Sequence, residues 1–321
     1  MRPRYIALLP VRDEGDIIQQ CLVHALTWAD MIFLYDTGSV DNTYETVLEM
    51  AKEDDRIRPI GSEPTYYNEN RVRGLLFNAA REIMRDGDWF LRMDADEFHH
   101  IRPQDFVASR VKSGEGVVYH QYYDFQLTRS EAEALTDDDA VELQREKPIS
   151  DRRRHYTLSV YAEPRMCRYR SSMRWPVEVS FPFNAGLVAK ERIPIRHYPH
   201  RDPRQLDRRC RLRAIMMADK ANRSNWTRPD AHHWSQGDWS KFVVDDDAAG
   251  LSCWEPGTEL GEVRQTNHLA TGVKRELQRA MYTLGLPRLL DKTRRQWSED
   301  AHPLPIAPET QNILKRELGH G

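Results

Sequence analysis

Trp89-Phe90-Leu91-Arg92-Met93-Asp94-Ala95-Asp96-Glu97 is a short apolar run that ends abruptly in three carboxylates within four residues. The apolar part reads as a buried strand. Alternate residues of a strand point to opposite faces, so Asp94 and Asp96 are expected to project the same way while the extended geometry lasts. Two carboxylates aimed at one spot repel unless a positive group lies between them. Mg²⁺ or Mn²⁺ suits such oxygen ligands, and is typically held by one or two carboxylates plus substrate phosphates. Taken alone, the same stretch more commonly is a solvated acidic turn after a strand, because Asp-x-Asp is a common tripeptide. The neighbouring segments decide between the two.

Upstream, Tyr5-Ile6-Ala7-Leu8-Leu9 reads as a strand over residues 4–11 that runs into Pro10-Val11-Arg12-Asp13-Glu14. Ile17, Ile18, Cys21, Leu22, Ala25 and Leu26 then recur at the spacing of one helical face. Met31–Tyr35 is a second strand, ending in Asp36-Thr37-Gly38-Ser39, with Ser39 and Asp41 placed to cap the next helix. A third strand is expected at 56–61 and a helix at about 69–85. Strand and helix therefore alternate through the first hundred residues, which predicts parallel βαβ units with helices on both faces of a sheet. Ligands of such sheets bind beyond the carboxyl ends of the strands. All three polar turns fall at those ends.

The second half is less regular. A long strand is expected at 116–128 and others at 163–170 and 186–197. Residues 129–155, with Asp137-Asp138-Asp139 and Arg152-Arg153-Arg154, read as an exposed, mobile excursion. Asp202-Pro203 opens a helix as N-cap and first residue, with Leu206, Cys210, Ala214 and Met217 on one face and arginines on the other. Residues 225–270 show weak periodicity, followed by a helix near 271–285 and a Pro-rich tail.

With 47 basic and 50 acidic residues the net charge is −3, which argues against chain-wide attraction to nucleic acid or anionic lipid. No stretch approaches the roughly 20 apolar residues of a membrane span, and the first residues do not read as a signal peptide. Cys21, Cys167, Cys210 and Cys253 form no close pair, so neither a zinc site nor a disulfide framework is indicated. The chain reads as cytoplasmic, with peripheral membrane contact left open.

Leu9–Glu14 with its helix, Tyr35–Thr43 and Leu91–Glu97, in this order and spacing, resemble glycosyltransferase family 2, the nucleotide-sugar-dependent enzymes of the GT-A fold. The resemblance is firm over roughly residues 4–100 and looser to about 220. It implies a GT-A-like (Rossmann-like), mainly parallel α/β sheet with helices on both faces and a mostly helical C-terminal extension. Residues 1–100 would form the nucleotide-sugar-binding half, 101–220 the acceptor-binding half and 221–321 the extension. Pro10, Val11, Arg12, Asp13 and Glu14 of the first turn and Asp36, Gly38 and Ser39 of the second would hold the nucleotide. Within them Asp36 suits a base N–H, and Asp13 or Glu14 ribose hydroxyls. Arg71 or Arg73 occupies the region of a base- or phosphate-facing arginine, although Arg73-Gly74 stands where the family has Arg-Asn.

Asp94, Ala95 and Asp96 would serve the metal–diphosphate, with Mn²⁺ or Mg²⁺ as cofactor. The family's downstream histidine ligand matches His197, with His200 second, and Arg201 beside them would neutralise diphosphate charge. The acceptor's general base matches Glu178, with Asp124 second. Trp175, Trp226 and Trp234 are candidates for stacking on sugar rings. The implied reaction is inverting transfer from a nucleoside-diphosphate sugar, UDP-sugar favoured, to a hydroxyl of a saccharide or glycolipid in cell-surface polysaccharide or glycoconjugate synthesis. Two readings compete. A sugar-phosphate nucleotidyltransferase shares the sheet but has a Gly-rich basic loop where Arg12-Asp13-Glu14-Gly15-Asp16 is acidic. A non-catalytic scaffold fits poorly with an intact Asp94/Asp96 pair.

Overall fold

The computed structural model describes residues 2–66, 69–135, 137–177, 179–219, 238–261, 263–264, 272–284, 286 and 302–319. Its first half alternates as expected: β1 (Tyr5–Val11), α1 (Ile18–Leu26), β2 (Met31–Asp36), α2 (Thr43–Glu53), β3 (Ile57–Ser62), α3 (Glu69–Arg81), β4 (Trp89–Arg92). There follow β5 (Glu97–His99), α4 (Pro103–Arg110), β6 (Glu115–Phe125), α5 (Arg129–Glu133), α6 (Asp138–Arg145), α7 (Ile149–Arg152) and β7 (His155–Arg168). The last elements are β8 (Leu187–Val188), β9 (Glu191–His197), α8 (Pro203–Ala218), β10 (Ser252–Cys253), β11 (Val263–Arg264), α9 (Gly272–Thr283) and α10 (Pro308–Leu318).

One sheet runs β11-β9-β6-β7-β4-β1-β2-β3. Strands β3, β2, β1 and β4 are parallel, and β7 joins β4 in antiparallel fashion. Central strand β1 is buried on both faces. Tyr5, Ala7, Leu9 and Val11 pack with Ile18, Cys21 and Leu22 of α1, while Ile6 and Leu8 pack with Val72, Leu76 and Phe77 of α3. That is why the strand reads as a continuous apolar run and not as an alternating one. Parallel strands carried by βα units place their carboxyl ends at one edge, so the turns after β1, β2 and β4 meet there.

Three expectations are corrected. The charged run 129–155 folds into α5, α6 and α7, and Arg152 and Arg153 are buried, 4.0 Å from Asp202 and 3.8 Å from Glu131. Ile149 is buried beneath the run and its N–H donates to Gln20 Oε1 at 2.8 Å, which ties the segment to α1. Trp175 is wholly buried against Phe77 and Phe90, so it belongs to the core and is closed to a sugar. The tail holds α10, and residues 304–306 pair with the loop after β3: Tyr66 N–H donates to Leu304 O at 2.8 Å and Ile306 N–H to Pro64 O at 2.9 Å. Trp226 and Trp234 lie outside the described residues.

His99 and His120 are buried edge-to-face with ring centroids 5.0 Å apart, and none of their four ring nitrogens finds a protein partner. Burial, helped for His120 by His99, Arg165 and Arg92, holds both pKa values well below the usual histidine range. The unfolded chain therefore binds these protons near pH 6.5 while the fold does not, so the contribution of these two rings to stability is full above that pH and falls below it. Each ring contributes a slope of about 1.4 kcal/mol per pH unit. Acid unfolding followed by circular dichroism should accordingly begin between about pH 6 and 5. His120→Leu should flatten the slope; an unchanged acid limb in that variant would count against the account.

Candidate active site

The turn after β4 is held from two sides. Met93 N–H donates to Leu8 O at 3.2 Å, and Tyr198 N–H to Asp96 O at 2.8 Å. Extended geometry ends at Arg92; Asp94 and Asp96 both line the cleft above this turn, and each meets its own partners. Asp94 Oδ2 accepts from both Nη1 and Nη2 of Arg165 at 3.1 Å, and its Oδ1 is buried with no hydrogen-bond partner. Asp96 Oδ2 stands 3.6 Å from His197 Nε2, 3.8 Å from Arg209 and 3.9 Å from Arg201. Burial alone would raise Asp96, but His197 and the two guanidinium groups outweigh it and hold the carboxyl well below the usual range. His197 is half-buried, and its partial burial would lower it; Asp96 and Asp124 outweigh that and push it up to about 10. Glu97 is raised to about 7 by burial, with Arg165 opposing.

A cleft of about 170 Å³ opens over this turn. One wall is the first turn, Pro10 to Glu14; the floor is Asp94, Ala95 and Asp96; the far wall is His197 with Gln205, Arg208, Arg209, Leu212 and Arg213 of α8. Asp202 caps α8 by accepting from Gln205 N–H at 2.8 Å, with Pro203 in the first turn, so the helix starts where its arginine face meets the cleft. Asp13 takes a φ of 53°, a left-handed conformation that aspartate tolerates, and its Oδ1 accepts from Val40 N–H at 2.8 Å. Gly38 has a φ of 93°, and a Cβ there would lie 2.5 Å from Pro64 Cα, so only glycine fits.

Residues 7–170, half of the chain, match the model of glycosyl transferase family 2. The chain belongs to that family. Its sheet with helices on both faces is the GT-A-like arrangement. No curated protein matches it. Among solved structures, a mannosyltransferase from Pyrobaculum calidifontis in complex with GDP-Man and Mn²⁺ is 19% identical with a TM-score of 0.29. That alignment covers 45% of this chain and 39% of the mannosyltransferase.

In this family member, Arg12 is buried, donating to Thr37 O at 2.9 Å and Thr65 O at 3.1 Å, so it braces the first two turns. Asp36 accepts from Gly38 N–H at 3.1 Å and Ser62 Oγ at 2.6 Å, and from Ser39, which places its carboxylate inside the second turn. Arg71 donates to His302 O at 3.2 Å, whereas Arg73 is buried and its charge acts on Asp94. Of the two histidines, His197 lines the cleft; His200 is hydrogen-bonded to Gln126 at 2.9 Å and is lowered to about 3, chiefly by burial. Arg201 is wholly buried, and its guanidinium is taken by Asp16, Glu14 and Tyr198 O. Besides Arg12, the arginines that line the cleft are Arg208, Arg209 and Arg213 of α8, which helical spacing does not single out from the other arginines of that face. Glu178 lies outside the described residues.

Proposed function

We propose that this transferase moves a sugar from a nucleoside-diphosphate sugar, UDP-sugar favoured, to a saccharide or glycolipid hydroxyl, with inversion and with Mn²⁺ or Mg²⁺. The observation that carries the reading is the donor set on the cleft floor: Asp96 Oδ2 and His197 Nε2 at 3.6 Å, beside the unpartnered Asp94 Oδ1. Two ligands each about 2.1 Å from one ion stand about 3.0–4.2 Å apart, so the first two atoms fit a shared cation. It is the oxygen donors, carboxylate and phosphate, that suit Mn²⁺ or Mg²⁺. Among the described residues no group of three or more His, Cys, Asp or Glu is placed to hold a metal alone. A cation held by two residues would need its remaining ligands from diphosphate oxygens and water. When bound, the cation would neutralise charge on the departing nucleoside diphosphate.

The chain's own groups do the remaining work in this reading. Arg208, Arg209 and Arg213 face the diphosphate from α8 and stabilise its developing charge. Arg165 holds Asp94 in place through two hydrogen bonds. Pro10 to Glu14 and the second turn embrace the nucleoside, and Glu178 takes the acceptor proton. Residues 1–100 then form the donor half, 101–220 the acceptor half and 221–321 the extension. Cell-surface polysaccharide or glycoconjugate assembly in the cytoplasm is the setting we infer; among the described residues no helix is long and apolar enough to cross a membrane.

Thermal shift tests the reading. A ligand bound only by the fold stabilises it by RT ln(1 + [L]/Kd), so UDP with Mn²⁺ should raise the melting temperature more than either alone. A flat response to every nucleoside diphosphate, with either metal present, would remove it.

A further inference from the structure

We infer that Asp124 is the positioning residue for His197, holding its ring so that Nε2 is presented to the cation and the diphosphate; this rests on the metal reading above. The geometry is set by strand register. In the parallel pairing of β6 with β9, Asp124 is the direct partner of His197, and on the other side of β9 the antiparallel partner of His197 is Glu97. The ring is thus carried by an internal strand, with a carboxylate fixed beside it. His197 Nδ1 and Asp124 Oδ1 are 2.7 Å apart. An ionised carboxylate only accepts hydrogen bonds, so Nδ1 must carry the proton.

The other ring nitrogen faces Asp96 at 3.6 Å, on the cleft floor. Tyr122, two residues before Asp124 on the same face of β6, packs against the ring with centroids 5.4 Å apart and limits its rotation. With Nδ1–H committed to Asp124, Nε2 is the nitrogen left to ligate, and a cation there would take the place of the proton that the free ring carries on it. A carboxylate behind a metal-binding histidine fixes the tautomer and raises ligand basicity, and its loss typically costs 10–100-fold in metal affinity. The same contact speaks against Asp124 as general base, because the oxygen nearest the cleft histidine is already engaged.

Electron paramagnetic resonance of free Mn²⁺, titrated into the full chain with UDP and separately with GDP, tests the inference. Asp124→Ala should weaken Mn²⁺ uptake by about 10–100-fold. Asp124→Asn, whose carbonyl still accepts from Nδ1–H, should fall between it and the wild type, with metal-free melting curves confirming that both variants fold. His197→Ala should be at least as weak as Asp124→Ala. Wild-type Mn²⁺ affinity in Asp124→Ala, beside a weakened His197→Ala, would overturn the inference and leave His197 as ligand. Normal Mn²⁺ affinity in His197→Ala, or no uptake by the wild type with either nucleotide, would overturn the metal reading itself and the inference with it.

Discussion

Asp96→Asn is expected to abolish transfer while the protein still folds. The amide keeps the shape of the side chain and the backbone of the turn, whose Asp96 carbonyl accepts from Tyr198 N–H at 2.8 Å. Its three cationic neighbours also keep other partners: His197 has Asp124 at 2.7 Å, Arg201 has Asp16 at 2.6 Å, and Arg209 donates to Pro199 O at 2.9 Å. What disappears is one unit of negative charge facing the cleft. Losing a ligand charge that holds the metal is expected to remove several kcal/mol of transition-state stabilisation, or a fall of about 10³-fold or more in turnover. A sugar-transfer assay in saturating Mn²⁺, read beside a melting curve, decides. Near-normal turnover would show that Asp96 is no ligand. Lost turnover with a collapsed melting temperature would make its role structural.

The parts of this site that were legible in the sequence share one physical signature: a fully buried strand whose apolar run stops at a polar turn. Leu9 to Glu14, Tyr35 to Ser39 and Leu91 to Glu97 all show it, and sheet topology alone brings them to one edge. What escaped was set by tertiary pairing. Strand β7 begins at His155, eight residues before the expected start at 163, because β6 supplies its partner as far as Phe125↔Tyr156. The opposed partners of Asp94 and Asp96 follow from where β4 stops, and strand ends are poorly marked by residue type. The arginine face of α8 was visible, but which arginines look into the cleft depends on how the helix is rotated against α10, whose Leu314 and Leu318 pack with Leu212 and Met216. No local signal separates Arg209 from Arg201, although one lines the cleft and the other is wholly buried. The excursion misread from its charge shows the same limit, since Arg152 and Arg153 are buried beside carboxylates supplied by α5 and by the cap of α8.

Arg201→Ala should produce the largest loss of stability of any single substitution around the cleft. The side chain is wholly buried and ties together groups far apart in sequence: its Nε donates to Asp16 Oδ2 at 2.6 Å, Nη2 to Asp16 Oδ1 at 2.9 Å, and Nη1 to Tyr198 O at 3.2 Å. Nη2 also bonds Glu14, and Asp96 is 3.9 Å away. Removing the guanidinium leaves these carboxylates buried together without their counter-charge, which typically costs about 3–5 kcal/mol. The deficit should depend on pH in a defined direction. Glu14 is already raised to about 8 by burial even with Arg201 opposing, and without Arg201 it and its neighbours rise further. A carboxylate whose folded pKa lies above its unfolded value favours the fold in its protonated form, so the deficit must shrink as pH falls. The buried histidines weaken wild type and variant alike in acid, and the difference between the two isolates the bridge. Melting temperatures of both proteins at pH 8 and pH 5.5 should therefore converge toward the lower pH, with Arg201→Lys intermediate because it restores charge without the planar fork. Equal melting temperatures at pH 8 would mean that the two acidic segments are held by their backbones and that the arginine bridge contributes little.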